Sequence, residues 1–315
     1  MVKIIFHTIQ LDVRGTCTAI WDYAHYNEVL LGNESAILSK ANNENNDELA
    51  IQKFEKRFKV FYYETSEDIE RIIKDYDIIY NIKYGLNDGF LFKNIKNVIH
   101  SVFDMSQEHG DVFAGVSEAL AIKFEKNLFV PHMIGLRPSE TKENLRKQLN
   151  IPEKALVFGR HGGTDTFDIP FVKTTISKVV DEFPNIYFVF VNTPCFYEHP
   201  QIIHLDKIID NDDKNKFINT CDACIHAQTL GETFGLSLGE FSVNNKPIFT
   251  YGGYCWNNSH KLILKDTAIY YSNNKELYFK IVTFDKDKYK DMDLNCYKDY
   301  SPEIVMKKFK KVFIE

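Results

Sequence analysis

No apolar run in the 315 residues approaches the ~18 that a membrane-spanning helix requires. Positive charge is not in excess either. Against 38 Lys and Arg stand 44 Asp and Glu, a formal charge of −6, so the basic stripe of a nucleic-acid-binding surface is missing. Disulfide scaffolding is excluded on similar grounds. The six cysteines, Cys17, Cys195, Cys221, Cys224, Cys255 and Cys296, are scattered through a long chain. No secretory signal precedes the strand-like Met1-Val-Lys-Ile-Ile-Phe, so a reducing, cytoplasmic setting with free thiols is expected. Cys221-Asp-Ala-Cys224 has redox or zinc spacing without a second pair, and it reads as a buried structural pair where a helix gives way to a strand. No His/Cys cluster has zinc spacing, and no repeat recurs on a solenoid period. The basic group Lys53, Lys56, Arg57 and Lys59 is flanked by acids and reads as a solvated helix face. Its functional alternative is at most a peripheral contact with a membrane.

What is present is material for two cores: 44% hydrophobic residues, with 25 Phe and 17 Tyr, in a chain of two-domain length. Short apolar runs alternate with helix-length segments, the pattern of βαβ units around a parallel sheet. Strands are predicted at Lys3–His7, Glu34–Leu38, Lys59–Tyr63, Asp77–Ile82, Asn97–Val102, Val112–Val116 and Leu128–Pro131. A polar stretch, Gly135-Leu-Arg-Pro-Ser-Glu-Thr-Lys-Glu-Asn, then breaks the rhythm and reads as a linker. Beyond it the strands resume at Ala155–Arg160, Ile186–Val191, Ile202–Leu205, Ala223–Ala227, Pro247–Thr250 and Ala268–Tyr271. The expected fold class is α/β: two doubly wound, Rossmann-like domains, 1–134 and 135–300, facing across a cleft, and a C-terminal helix within 301–315 that packs back toward the first.

The most informative segment is His226-Ala-Gln-Thr-Leu-Gly-Glu232-Thr-Phe-Gly-Leu-Ser-Leu-Gly-Glu240-Phe, between a predicted strand and a predicted helix. Free amides around Thr233, Phe234, Gly235 and Leu236, with the helix dipole, suit a diphosphate. A glycine there lets the backbone approach phosphate oxygens. Glu240, further along the helix, can accept hydrogen bonds from two vicinal ribose hydroxyls. Glu232, before the helix, would face the opposite end of such a ligand and bind sugar hydroxyls. The bland reading is an amphipathic helix with two solvated acids.

This segment resembles the paired-glutamate motif of the retaining GT-B glycosyltransferases, specifically glycosyltransferase family 4. Ala155-Leu-Val-Phe-Gly-Arg160 is similar to the first strand of that family's donor domain, and Asn245-Lys-Pro-Ile-Phe-Thr-Tyr-Gly-Gly to the strand and loop after the paired acids. Val116-Ser-Glu-Ala-Leu-Ala and Val130-Pro-His-Met-Ile resemble segments late in its acceptor domain. The resemblance thus covers most of the chain. It implies Glu232 beside the transferred sugar, Glu240 on the ribose, and Arg160 as a phosphate clamp, which here works either with backbone amides of Gly162 and Gly163 or with a different cation that supplies the second charge. It also implies Gly15, in Arg14-Gly15-Thr16, near the donor phosphate, with a simple tight turn as the alternative, and His100, at a strand end, against the donor sugar, with a structural histidine as the alternative. His7, His25 and His109 are lesser candidates. The nucleotide base would be gripped near Asp206–Ile209, largely by backbone.

One departure stands out. Where the family has a lysine five residues after the arginine, this chain has Asp165, and Lys173 lies far along the next helix. The activity implied is that of a metal-independent hexosyltransferase taking a UDP- or GDP-linked sugar donor as substrate, without a cofactor. The acceptor would be a glycan, a lipid or a small molecule. Asp285-Lys-Asp287 and Asp291-Met-Asp293 resemble the metal motif of another glycosyltransferase architecture, but read as a solvated loop. The competing readings are a sugar-nucleotide epimerase or hydrolase on the same fold, and an inactive sugar-nucleotide or glycan-binding protein.

Overall fold

In the computed structural model, which describes residues 1–315, the apolar runs become two six-stranded, wholly parallel sheets in two compact units, Met1–Gly135 with Asp299–Glu315, and Leu136–Lys298. In the first unit the strands are β1 (Lys3–Thr8), β2 (Glu34–Lys40), β3 (Lys59–Tyr63), β4 (Ile78–Lys83), β5 (Lys96–Ser101) and β6 (Val112–Gly115), in the order β3-β2-β1-β4-β5-β6. Four helices connect or follow them: α1 (Gly15–Val29), α2 (Glu48–Glu55), α3 (Ser66–Ile72) and α4 (Glu118–Lys123).

The alternation of β1 explains how both sheet faces are filled. Ile4 and Phe6 face one way, into a core with Tyr23, Tyr80 and Val98, while Ile5 faces the other, among Leu38, Ile69, Ile73 and Ile79. Local chemistry sets the helix starts. Thr65 and Asp68 form a reciprocal capping box on α3, and Ser117 caps α4 by accepting from Leu120 N–H at 3.2 Å. The predicted strand Leu128–Pro131 is reduced to a single bridge, Gly115 to Phe129.

In the second unit the strands are β7 (Leu156–Arg160), β8 (Ile186–Val191), β9 (Ile202–Leu205), β10 (Ala223–His226), β11 (Gly231–Glu232), β12 (Ile248–Tyr251), β13 (Asn257–Asn258) and β14 (Ile269–Tyr271). The main sheet has the order β14-β12-β10-β7-β8-β9, and β11 and β13 form a separate two-stranded ribbon. The helices are α5 (Pro170–Glu182), α6 (Asn211–Thr220), α7 (Leu236–Val243), α8 (Ser259–Leu264) and α9 (Asn274–Val282). The unbroken apolar run of β8, Ile-Tyr-Phe-Val-Phe-Val, fits a strand covered on both faces. A last helix, α10 (Pro302–Phe309), inserts Val305, Met306 and Phe309 into the core of the first unit. No helix is long and apolar enough to cross a membrane.

Candidate functional site

In both sheets the chain winds outward through three strands, then crosses back and winds the other way. This order leaves a crevice beyond the carboxyl ends of the first and fourth strands, where open α/β sheets bind ligands. In the second unit those ends are Arg160 of β7 and His226 of β10.

Gly235 fixes where α7 begins. It adopts φ +89°, a left-handed cap conformation that suits glycine, so the helix starts at Leu236 rather than Phe234. Phe234 is buried, its carbonyl accepting from the Tyr297 hydroxyl at 2.9 Å, and Thr233 is buried beside it. No side chain caps α7 and no acid lies in its first turn. Its leading amides therefore keep the positive end of the helix dipole.

Glu240, in the second turn, is only 6% exposed. Lys214 of α6 donates from Nζ to Oε1 at 2.6 Å, and His161 Nε2, one residue past β7, lies 3.0 Å from Oε2. The His161 ring stacks on Phe241 with centroids 5.6 Å apart. Burial alone would raise the pKa of Glu240, but Lys214 and His161 outweigh it and hold the carboxyl at about 2. Glu240 is thus an ionised, acceptor-only group.

Glu232 is held differently. It belongs to the ribbon, in which Gly231 pairs with Asn257 and Glu232 with Asn258. His226 Nε2 lies 3.2 Å from Glu232 Oε1, and His226 Nδ1 lies 2.9 Å from Thr250 Oγ1. The Glu232 N–H donates to His260 Nδ1 at 3.3 Å. Each glutamate of the pair therefore faces a histidine from the end of one of the two switch-point strands, His161 after β7 and His226 on β10. Sequence reasoning missed both histidines and Lys214. The signal available was a histidine at each strand end. For Lys214 there was none, because it is one of several polar residues on α6.

Gly231 permits this ribbon. Its φ is +69°, and a Cβ there would stand 1.9 Å from the Asn257 carbonyl oxygen. Gly231→Ala is expected to cost at least ~1–2 kcal/mol for the left-handed backbone alone, with a further loss as β11 and β13 separate. Gly89→Ala, with φ +74° and open space around its Cβ, is the comparison that carries only the backbone cost. Equal shifts in the urea midpoint for the two variants would show that the ribbon does not require the glycine.

Arg160 departs from the expected clamp. It is buried, and its terminal nitrogens donate to Thr193 Oγ1, to Asn192 O at 3.3 Å, to Thr166 Oγ1 and to Gly163 O at 2.6 Å. The fork that would grip a phosphate is spent on joining the loops after β7 and β8. Burial draws its pKa down to about 10, opposed by Glu232, so the charge remains. Gly162, at φ +151°, lies against this guanidinium, where a Cβ would be 3.1 Å from Nη2. Asp165 is exposed, and Lys173 Nζ sits 5.9 Å over the Phe196 ring.

In the first unit, His100 is a correction to the sequence reading. It is entirely buried, with Nδ1 bonded to the Tyr80 hydroxyl and Nε2 2.8 Å from the Val130 carbonyl oxygen. Phe313 packs edge-on at 5.1 Å, and burial lowers its pKa to about 4. Both ring nitrogens are consumed inside the core, so His100 has nothing to offer a ligand. His7 is likewise buried, bonded to Tyr63 and stacked on Phe90. Gly15 is the exposed first residue of α1, after Arg14, whose side chain leaves the helix uncapped. Cys221 and Cys224 are buried free thiols, the former pushed by burial up to about 12.

No protein-family model matches the sequence. No curated protein matches it either. Solved structures do match along essentially its whole length. HepE (Alr3699) from Anabaena, in complex with UDP-glucose, has a TM-score of 0.76 at 14% identity, covering 99% of this chain and 98% of that one. A glycosyltransferase from Rickettsia africae ESF-5 has a TM-score of 0.70 at 13% identity, covering 100% and 99%. Sucrose-phosphate synthase from Thermosynechococcus elongatus has a TM-score of 0.69 at 10% identity, covering 99% and 98%. With two doubly wound parallel sheets and these full-length neighbours, the chain has the GT-B glycosyltransferase fold.

Proposed function

We propose that the protein is a retaining hexosyltransferase of glycosyltransferase family 4 that takes its sugar from a UDP- or GDP-linked donor. The carrying observation is the pair of acids around the uncapped start of α7: Glu240 buried and ionised behind it, Glu232 half-buried before it. The Anabaena neighbour is described with UDP-glucose and with UDP, which supports a donor of this class.

In this reading, departure of the nucleoside diphosphate gathers negative charge beside the leading amides of α7, with the permanent charge of Arg160 nearby. Preorganised donors of this kind contribute a few kcal/mol each to such a step. No metal ion takes part. Glu240 has lone pairs beyond those used by Lys214 and His161, and accepts the ribose hydroxyls. Glu232 accepts hydroxyls of the transferred sugar. The acceptor is a glycan, a lipid or a small molecule, and no side chain is assigned as general base.

Two measurements test this. A thermal-shift series with UDP, GDP and their hexose conjugates should show stabilisation by one nucleotide family, ~2.7 kcal/mol at 100 times the dissociation constant. Glu232→Ala should then lower turnover about 100-fold with little change in nucleotide affinity. Equal turnover in variant and parent would remove Glu232 from the site.

A further inference from the structure

We infer that His226 is a positioning residue for Glu232, the middle member of a relay Thr250–His226–Glu232. The inference rests on the transferase reading and assigns a role to a residue which that reading does not use. Its basis is hydrogen-bond accounting. A carboxylate only accepts, so the 3.2 Å contact with Glu232 Oε1 places the proton on His226 Nε2. In the neutral ring Nδ1 is then an acceptor, filled by the Thr250 hydroxyl at 2.9 Å. Thr250 is completely buried in β12 and is the direct register partner of His226, so the relay ends on a strand paired on both sides within the sheet. The carbonyl of His226 is held as well, by the Tyr271 hydroxyl at 2.7 Å.

The backbone of Glu232 has its own anchor. Its N–H donates to Nδ1 of His260, a buried ring 5.3 Å from that of His226. Two histidines therefore fix residue 232, one through its side chain and one through its amide. Only Oε1 of the carboxylate is consumed, and Glu232 stays half-buried. The relay fixes the rotamer in which Oε2 is available to a ligand hydroxyl, so the carboxylate need not be ordered at the moment of reaction.

The two amide substitutions separate positioning from structure. Glutamine can present an N–H near the place of Nε2 and still reach Glu232. Asparagine reaches only toward Thr250. His226→Asn should lower kcat for UDP or GDP release, from UDP-glucose or GDP-mannose, about 10- to 100-fold. The affinity for free UDP or GDP should stay within about 2-fold of the parent, and His226→Gln should retain kcat within about 3-fold. In a Glu232→Ala background, His226→Asn should cause no further loss. Thr250→Val, which acts from the far end of the relay, should lower kcat in the same sense by about 3- to 10-fold.

Parental kcat in both His226→Asn and Thr250→Val would overturn the inference while leaving the transferase reading intact. So would equal losses in the asparagine and glutamine variants accompanied by a lowered urea midpoint, since that pattern marks a structural histidine. A parent that releases no nucleoside diphosphate from either donor would overturn the transferase reading and the inference with it.

Discussion

Glu240→Ala is expected to abolish nucleotide binding at micromolar concentrations and to destabilise the second unit by ~3–5 kcal/mol. Both effects follow from one geometry. Glu240 is 6% exposed and accepts from Lys214 at 2.6 Å with His161 at 3.0 Å. Removing the carboxylate leaves the Lys214 ammonium inside the unit without its counter-ion, which is the costly way to break a buried pair. In the proposed role of Glu240, the ribose also loses two charge-assisted acceptors, each worth ~1.5–3 kcal/mol, so affinity for UDP or GDP should fall at least about 100-fold. Replacing the pair together, as Glu240→Leu with Lys214→Met, separates the two effects. Apolar replacement of a buried ion pair is often neutral or stabilising, so the double variant should recover the parental urea midpoint while binding stays lost. Parental affinity in that double variant, measured by calorimetric titration, would show that Glu240 serves the fold and not the ribose.

The two parallel sheets were legible because their signal is long and local. Runs such as Ile186–Val191, and Val60–Tyr63 after Lys59, are β-branched or aromatic throughout, and β8 and β3 take the bounds read from the sequence. What could not be read is everything that depends on a few residues in unusual conformation. The β11–β13 ribbon contributes two residues from each side, too short for any periodicity, and rests on the positive φ of Gly231. α8 and the pairing of Glu232 with His260 depend in turn on that ribbon.

The candidate site divides in the same way. Glu232, Gly235 and Glu240 were visible because a strand, a glycine and a helix follow one another in the chain. The partners of those acids, His161, Lys214 and His226, come from three different elements, and only the sheet order brings β7, β10 and α6 to one edge. His100 was misplaced because a histidine at a strand end looks the same in sequence whether its ring enters the core or leaves it. Here the fifth strand lies between β4 and β6, and Tyr80, Val130 and Phe313 close over the ring. Arg160 illustrates a related limit. Its position at the end of β7 was legible, whereas the loop oxygens that occupy its fork, on Asn192, Gly163 and their neighbours, lie on segments with no regular pattern.

The buried histidines make a second large effect, on stability against acid. Burial holds His7 at about 3 and His100 at about 4, and puts His132 and His260 well below their ordinary value of 6.5. These side chains are neutral in the folded chain and take up protons near 6.5 once unfolded. The unfolded state therefore binds more protons below that pH, and stability falls as pH falls through this window. Each such group costs ~1 kcal/mol between pH 6.5 and 5.5. His7, His100 and His132 belong to the first unit, and His260 and His161, whose pKa burial also lowers, belong to the second, so the first should lose about 3 kcal/mol and the second about 1 to 2. The carboxyl of Glu240, held at about 2 by Lys214 and His161 against the opposing effect of burial, acts on the second unit only at lower pH. Its contribution is complete above its ordinary 4.5 and is lost as pH drops toward 2. The only two tryptophans, Trp21 and Trp256, fall one in each unit. Trp256→Phe and Trp21→Phe variants thus report the units separately by fluorescence in urea at pH 7.5, 6.5 and 5.5. The Trp21 signal should lose its transition first as the solution is acidified, and His7→Gln should reduce the pH slope of that transition by the share of one proton. A Trp21 midpoint unchanged from pH 7.5 to 5.5 would mean that these rings already accept protons in the folded chain, and the acid sensitivity would have to be withdrawn.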